Sequence, residues 1–150
     1  MLEPNYSLFE SIHYYDFQFF KSTINSQTDL NILNKDGYSL LNLSVYYNYI
    51  EFIDILVNLG ADINLANKDG NTPLHLASKI KAKHTVQSLL LTPNSINLNF
   101  KNRYNKTALD IAIESDSCEI IKMIQSYKNY QEICSCAIIN QFYYSKKNKI

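Results

Sequence analysis

The tetrapeptide Asn-Lys-Asp-Gly occurs twice in this chain, at residues 34–37 and 67–70. A fixed interval of 33 residues separates the two copies, and a period of this length is the signature of a repeat architecture. A third copy of the surrounding pattern begins at Asn102. The residues that fall in register are Ser39, Thr72 and Thr107. Their second interval is 35 residues, and the segment TPNS at 92–95 is the expected insertion.

Each copy opens with a turn and a helix cap. Gly37, Gly70 and Asn105 stand where the turn requires a positive φ, which glycine and asparagine tolerate best. The serine or threonine in register then predicts a helix N-cap, because its side chain accepts a hydrogen bond from a free backbone N–H. A polar residue three positions later resembles the partner in a capping box. These polar residues are Asn42, His75 and Asp110.

Two short helices follow each cap, separated by a polar break. The breaks lie near Asn48, Lys81 and Asp116. Apolar residues at helical spacing predict one buried face on each helix. The first-helix positions are Leu41, Leu43, Leu74, Leu76, Leu109 and Ile111. The second-helix positions are Ile50, Ile53, Leu56, Val57, Val86, Leu89, Leu90, Ile120, Ile121 and Ile124.

The segments DGNTPLHLA and LGADIN resemble the ankyrin repeat. That resemblance implies an all-α solenoid, in which each unit is a hairpin-like turn followed by two antiparallel helices. It covers residues 5–126, with a divergent N-terminal capping repeat first. The four expected units are 5–33, 34–66, 67–101 and 102–126.

The two ends of the chain depart from the repeat. DFQFFKSTI, residues 16–24, aligns with a second helix, and a short first helix is expected near Ser7 to Tyr14. Residues 127–150 belong to no repeat, and a helix from about 129 to 143 is predicted to cover the last unit. Its apolar positions are Tyr130, Ile133, Cys134, Ala137, Ile138 and Phe142. The final SKKNKI is expected to fray.

Charge and composition exclude several functional classes. Lys plus Arg number 14 and Asp plus Glu number 14, so no basic surface favours nucleic acid or an acidic membrane. The N-terminus, MLEPNYSLFE, lacks the basic and apolar regions of a secretory signal. Three cysteines, Cys118, Cys134 and Cys136, fit reduced, buried thiols better than a disulfide framework. We expect a cytoplasmic protein, either of the source organism or, if it is secreted as an effector, of a host cell, and we expect it to be monomeric.

No motif predicts catalysis or a cofactor. His75 belongs to the capping arrangement, so we favour a structural hydrogen-bonding role over a catalytic one. Cys134 and Cys136 would supply only half of the ligands of a metal site, and no second Cys or His pair follows them in the sequence. Gly37, Gly60 and Gly70 form no phosphate-binding loop. We predict that the chain is not an enzyme and needs neither cofactor nor metal.

Resemblance to the ankyrin family implies binding of a protein partner, through a concave face built from the turn tips and first helices. By register, the expected partner-binding residues are Tyr14, Tyr38, Tyr46, Tyr47, Lys68, Asp69, Asn71, Lys79, Ile80, Arg103, Tyr104 and Lys106. Tyrosine and arginine dominate binding hot spots because they bury a large area and keep a polar group. Tyrosine is also common in this chain, with 12 copies, which is the simpler explanation of their number.

Three further interpretations stay open. The bias towards Asn, Ile, Lys and Tyr is typical of an AT-rich genome and resembles ankyrin proteins of intracellular bacteria and large viruses, some of which act inside a host cell. LVNLGADIN, residues 56–64, resembles the sequence that an asparaginyl hydroxylase modifies, with Asn64 as the acceptor. A structural asparagine is the interpretation we favour there. Finally, residues 127–150 are themselves a candidate binding element.

Overall fold

The computed structural model describes residues 7–92 and 96–147, with side chains described as far as Glu132. The helices in these ranges are α1 (Leu8–His13), α2 (Phe17–Thr23), α3 (Leu40–Tyr47), α4 (Ile50–Asn58), α5 (Pro73–Lys79), α6 (Lys83–Leu90), α7 (Ala108–Glu114) and α8 (Cys118–Lys147). An isolated antiparallel bridge joins Leu33 to Ser39. The all-α class predicted from the sequence is confirmed.

Helices pack in antiparallel pairs, and the pairs stack in two rows. The first helices α1, α3, α5 and α7 contact each other in that order, and α4, α6 and α8 form the second row. A continuous core runs between the rows and includes fully buried Ile53, Leu74 and Ile120. Phe52, which the apolar pattern did not single out, is fully buried and lies against Phe20 with ring centroids 4.8 Å apart.

Capping residues begin the first helices as predicted. Ser39 Oγ accepts a hydrogen bond from the Asn42 N–H at 3.1 Å, and Thr107 forms a complete capping box with Asp110. Asn42 does not complete the capping box that the sequence predicted, because its side-chain amide donates instead to the Leu65 carbonyl at 2.9 Å. This bond reaches the segment that leads to the next repeat. The Asn42 side chain therefore satisfies a backbone carbonyl there instead of completing a capping box.

Asparagines close the turns between repeats. Asn67 Oδ1 accepts hydrogen bonds from the backbone N–H groups of Asp69 and Asn71, both at 3.0 Å. Asn34 and Asn102 make the same pair of bonds in their own turns. Gly70 has φ +76° as predicted, and a Cβ there would lie 2.9 Å from the Arg103 nitrogen in the next turn. Glycine therefore lets neighbouring turns approach.

The residues that separate the paired helices adopt the left-handed backbone conformation. They are Tyr15, Asn48, Lys81 and Asp116, with φ between 52° and 58°. Each reverses the chain so that the second helix returns against the first. Only asparagine and aspartate adopt this conformation readily among these types, so Tyr15 and Lys81 are held there by their surroundings.

The last helix differs from the sequence prediction. Residues 129–143 are helical, but they belong to α8, which begins at Cys118 and continues without a break. Residues 126–129 contain neither glycine nor proline that would end a helix. Cys118 is exposed rather than buried as expected, because it lies two residues before Ile120 and so faces away from the buried side.

Several predicted features lie outside the described residues. They are the apolar side chains from Ile133 onwards, Cys134 and Cys136, residues 93–95 of the predicted insertion at 92–95, and the two chain ends, 1–6 and 148–150. Within the described ranges, no helix is both long enough and apolar enough to cross a bilayer.

Candidate functional site

Turns and the exposed sides of α1, α3, α5 and α7 form one surface, which we call the first-helix face. It carries the residues that the sequence predicted to bind a partner. The structure divides them into an aromatic cluster, a polar cleft and a row of turn tips.

The aromatic cluster consists of His13, Tyr14, Tyr38, Tyr46 and Tyr47. Tyr46 contacts both Tyr38 and Tyr47 edge to face, with ring centroids 5.9 and 5.3 Å apart. His13 Nδ1 hydrogen bonds to the Tyr47 hydroxyl at 2.8 Å, and the His13 ring also contacts Tyr14. Tyr14 and Tyr46 remain 68% and 53% exposed. Edge-to-face pairs of this kind fix the rings in place while leaving apolar surface open to solvent.

Burial shapes the chemistry of the two inner tyrosines. Desolvation raises the pKa of Tyr38, and the negative charge of Asp69 raises that pKa further. Desolvation is also the largest cause of the raised pKa of Tyr47. Both hydroxyls therefore stay neutral at physiological pH and serve as hydrogen-bonding groups.

The polar cleft lies at the other end of the face and encloses about 340 Å³. Its lining residues are Asn71, Lys79, Asn102, Tyr104, Lys106, Ile111, Glu114 and Ser115. Lys106 forms an exposed ion pair with Glu114 at 2.8 Å. Asn102 Nδ2 donates to Asn71 Oδ1 at 2.8 Å, which ties the floor of the cleft across two repeats.

The aromatic cluster and the polar cleft occupy equivalent positions in different repeats. Each repeat places a turn residue and a first-helix residue eight positions apart on this face. The pairs are Tyr38 with Tyr46, Asn71 with Lys79, and Lys106 with Glu114. The first pair is an aromatic contact and the third is an ion pair. Tyr104 lines the cleft, two repeats away from the aromatic cluster.

The remaining predicted residues lie along the turn tips or between the two sites. The Arg103 N–H donates to the Asp69 carbonyl at 3.0 Å, so these tips are linked through the backbone. The Lys68 and Arg103 side chains are exposed. Ile80, 39% exposed, caps the C-terminal end of α5. The tips thus form a charged edge to the first-helix face.

His75 is buried and bonded on both ring nitrogens. Nδ1 lies 3.3 Å from the Thr72 backbone N–H and accepts from it, whereas Nε2 lies 3.1 Å from the Lys106 carbonyl and donates to it. This assigns the neutral tautomer protonated on Nε2. Burial lowers the pKa of His75. Among the residues that the structure describes, no cluster of three His, Cys, Asp or Glu residues is placed to hold a metal ion.

Asn64 also links two repeats. Its Oδ1 accepts a hydrogen bond from the Asn97 N–H at 2.8 Å, and one repeat earlier Asn31 Oδ1 accepts from the Asp62 N–H at 3.0 Å. The same device at equivalent positions supports a structural role for the Asn64 amide.

Stacked helix pairs of 33-residue period, joined by asparagine-closed turns, agree with a comparison against known families. A family model for ankyrin repeats matches residues 8–99 and 41–135. The chain is an ankyrin-repeat protein. Among curated proteins, none matches the sequence significantly. Ankyrin repeats are generally protein–protein interaction modules and are typically non-enzymatic.

The ankyrin array has a second recess, between α6 and α8. It encloses about 600 Å³, and its lining includes Leu91 and Tyr130, which are 74% and 65% exposed. Sequence reasoning missed this recess, because Leu91 follows α6 and Tyr130 lies in α8, and the side-by-side placement of these helices depends on the stacking of the repeats. It also missed the bond between His13 and Tyr47, although His13 stands 33 residues before Tyr46 and so shares its register.

Proposed function

We propose that this ankyrin-repeat protein binds a protein partner through the first-helix face, with no catalytic step. The observation that carries the proposal is the aromatic cluster. Its outer rings, Tyr14 and Tyr46, are more than half exposed, yet ring contacts hold them in place. Fixed rings lose little conformational freedom when a partner covers them, so their burial contributes to affinity.

Surface charge supports a mixed rather than a single-sign interface. The face carries the cations Lys68, Lys79 and Arg103 together with Asp69 and the Lys106–Glu114 pair. Such alternation selects a complementary partner and sets its register, while apolar rings supply most of the affinity. The partner of this face is therefore a protein surface, rather than the uniform polyanion that nucleic acid presents.

The test is an affinity capture from the source organism's lysate and from candidate host lysate. Composition supports the second lysate, since it resembles that of ankyrin proteins of intracellular bacteria and large viruses, some of which act inside a host cell. The bait is the full chain beside a Tyr46→Ala, Tyr104→Ala variant. Both side chains are more than half exposed, so their removal leaves the helical circular dichroism unchanged. We expect a partner that is captured by the wild type and lost from the double variant.

A Tyr130→Ala variant tests a second candidate function, in which the partner binds α8 instead of the first-helix face. The recess between α6 and α8 favours it, because exposed Tyr130 offers an apolar surface on the helix that the sequence singled out as a binding element, beside exposed Leu91 at the end of α6. A partner lost from Tyr130→Ala and kept by the double variant would assign binding to α8 and overturn the first proposal.

Hydroxylation of Asn64 has a separate test. An intact-mass increase of one oxygen after expression in animal cells would establish the chain as a hydroxylase substrate. The hydrogen bond from the Asn97 N–H to Asn64 Oδ1 supports the structural role, so we expect an unmodified mass.

A further inference from the structure

We propose that the polar cleft receives a carboxylate side chain from an extended segment of the partner, with an apolar residue of that segment resting on Tyr46. This rests on the proposed function, because it names the chemistry recognised by the same face. The juxtaposition that carries it is Lys79, which has no counter-ion among the described residues and lies between the Tyr38–Tyr46 pair and the Lys106–Glu114 pair.

Lys79 is the central cation of the face. It occupies in the second ankyrin repeat the position held by Tyr46 in the first and by Glu114 in the third. In the described ranges, no carboxylate lies within ion-pair distance of Lys79, whereas the neighbouring Lys106 is paired with Glu114 at 2.8 Å. Of the two ammonium groups that line the cleft, one therefore has its charge compensated and the other does not.

The hydrogen-bond donors of the cleft also favour an anionic ligand. Asn71 Oδ1 accepts a hydrogen bond from the Asn102 amide at 2.8 Å, and the Nδ2 group on the other branch of the Asn71 amide is a donor that a ligand can use. Lys79 adds an ammonium with three N–H donors. Donors that have no acceptor among the described residues favour an anionic oxygen ligand, and charge-assisted bonds of this type are the stronger class.

Charge in the cleft selects a carboxylate over a phosphate. The lining holds two cations, Lys79 and Lys106, and one anion, Glu114. A single negative charge balances this set. A phosphate group carries about −1.5 to −2 at pH 7, and its excess charge would be repelled by the Glu114 carboxylate.

The spacing of the partner segment follows from helix packing. Tyr46 and Lys79 hold equivalent positions on α3 and α5, which are in contact. Packed helix axes lie about 8–10 Å apart. A chain in the polyproline II conformation rises about 3.1 Å per residue with three residues per turn, so side chains three positions apart lie on one face about 9 Å apart. The segment therefore places its apolar residue and its aspartate or glutamate about three positions apart.

The experiment is a selection from a displayed library of random dodecapeptides on the full chain, with Lys79→Glu and Tyr46→Ala baits in parallel. We expect wild-type-selected peptides to carry an acidic residue about three positions from an aromatic or aliphatic one. The Lys79→Glu bait is expected to select Lys or Arg at that position. Lys79 is an exposed side chain, so the charge reversal leaves the circular dichroism unchanged.

A double-mutant cycle then measures the contact itself. Changing the acidic residue of a selected peptide to its amide should weaken binding to the wild type about tenfold, as for a charge-assisted hydrogen bond. The same change should have little effect on binding to Lys79→Gln. Additive effects of the two changes would overturn the assignment.

Failure of the inference and failure of the proposed function are distinguishable. Peptides that bind the wild type, are lost on Tyr46→Ala and show no acidic preference would overturn the carboxylate inference alone. Peptides that bind Tyr46→Ala as tightly as the wild type would contradict the first-helix face. If no peptide is selected, an extended segment is not the occupant, and the proposed function is left with a folded partner.

Discussion

His75 Nε2 donates a hydrogen bond to the carbonyl oxygen of Lys106 at 3.1 Å, across the boundary between the second and third repeats. The same ring accepts the Thr72 N–H through Nδ1. One side chain thus caps the helix of its own repeat and fixes the turn of the next. Because Lys106 also lines the polar cleft, this structural bond positions part of the candidate binding face.

Replacing His75 by alanine should destabilise the fold by about 2 kcal/mol, because the buried Thr72 N–H loses its hydrogen-bond partner and the Lys106 carbonyl keeps only the bond from the Asn102 N–H. Urea unfolding followed by circular dichroism measures this change. His84→Ala is the matched control, since His84 is exposed, and it should change the free energy of unfolding by less than about 0.5 kcal/mol. Equal losses for the two variants would contradict the structural role of His75.

The same histidine makes stability depend on pH. Its pKa in the folded chain is lowered from 6.5 by burial, so the unfolded chain binds the proton first as the pH falls. The stabilisation is complete above pH 6.5 and is lost as the pH falls from there through the lowered folded pKa. The free energy of unfolding, compared at about pH 7.5 and about pH 5, should fall more for the wild type than for His75→Asn. An equal fall would show that His75 does not titrate differently on folding.

Lys81→Asn should stabilise the protein by about 0.5–1 kcal/mol, because Lys81 has φ 58° and asparagine tolerates the left-handed conformation better. Thermal unfolding measures the shift. Lys122→Asn provides the control, since Lys122 lies exposed within α8 and asparagine there lowers helix propensity. A loss of stability in both variants would argue against strain at Lys81.

Thr107→Ala should cost about 1 kcal/mol through loss of the N-cap. It should also raise the pKa of Asp110, which hydrogen bonds from the Thr107 backbone and hydroxyl hold below its usual range. Carboxyl titration by NMR measures that pKa alongside the unfolding free energy. Thr107→Ser keeps the hydroxyl, so both quantities should stay near their wild-type values.

Much of the fold was predictable from local rules. Positive φ at Gly37, Gly70 and Asn105, and capping by Ser39 and Thr107, are confirmed. Each depends on the residue itself and its near neighbours. Register then placed Tyr46 and Lys79 at equivalent positions.

Contacts between repeats were less predictable, because they depend on how closely the units stack. The bond from Asn42 to the Leu65 carbonyl replaced an expected capping box. Tyr47 bonds to a histidine 34 residues away. The continuity of α8 was missed for a local reason: the repeat ends near residue 126, but residues 126–129 contain neither glycine nor proline that would end the helix. The division of the first-helix face into a cluster and a cleft became visible only in the structure.

Hydrogen–deuterium exchange of the chain, free and bound to its captured partner, tests the central claim most directly. If the first-helix face binds the partner, exchange should slow in the turns at 34–39, 67–72 and 102–107, with α8 unchanged. Protection confined to α6 and α8, with the turns exchanging as in the free chain, would contradict the account.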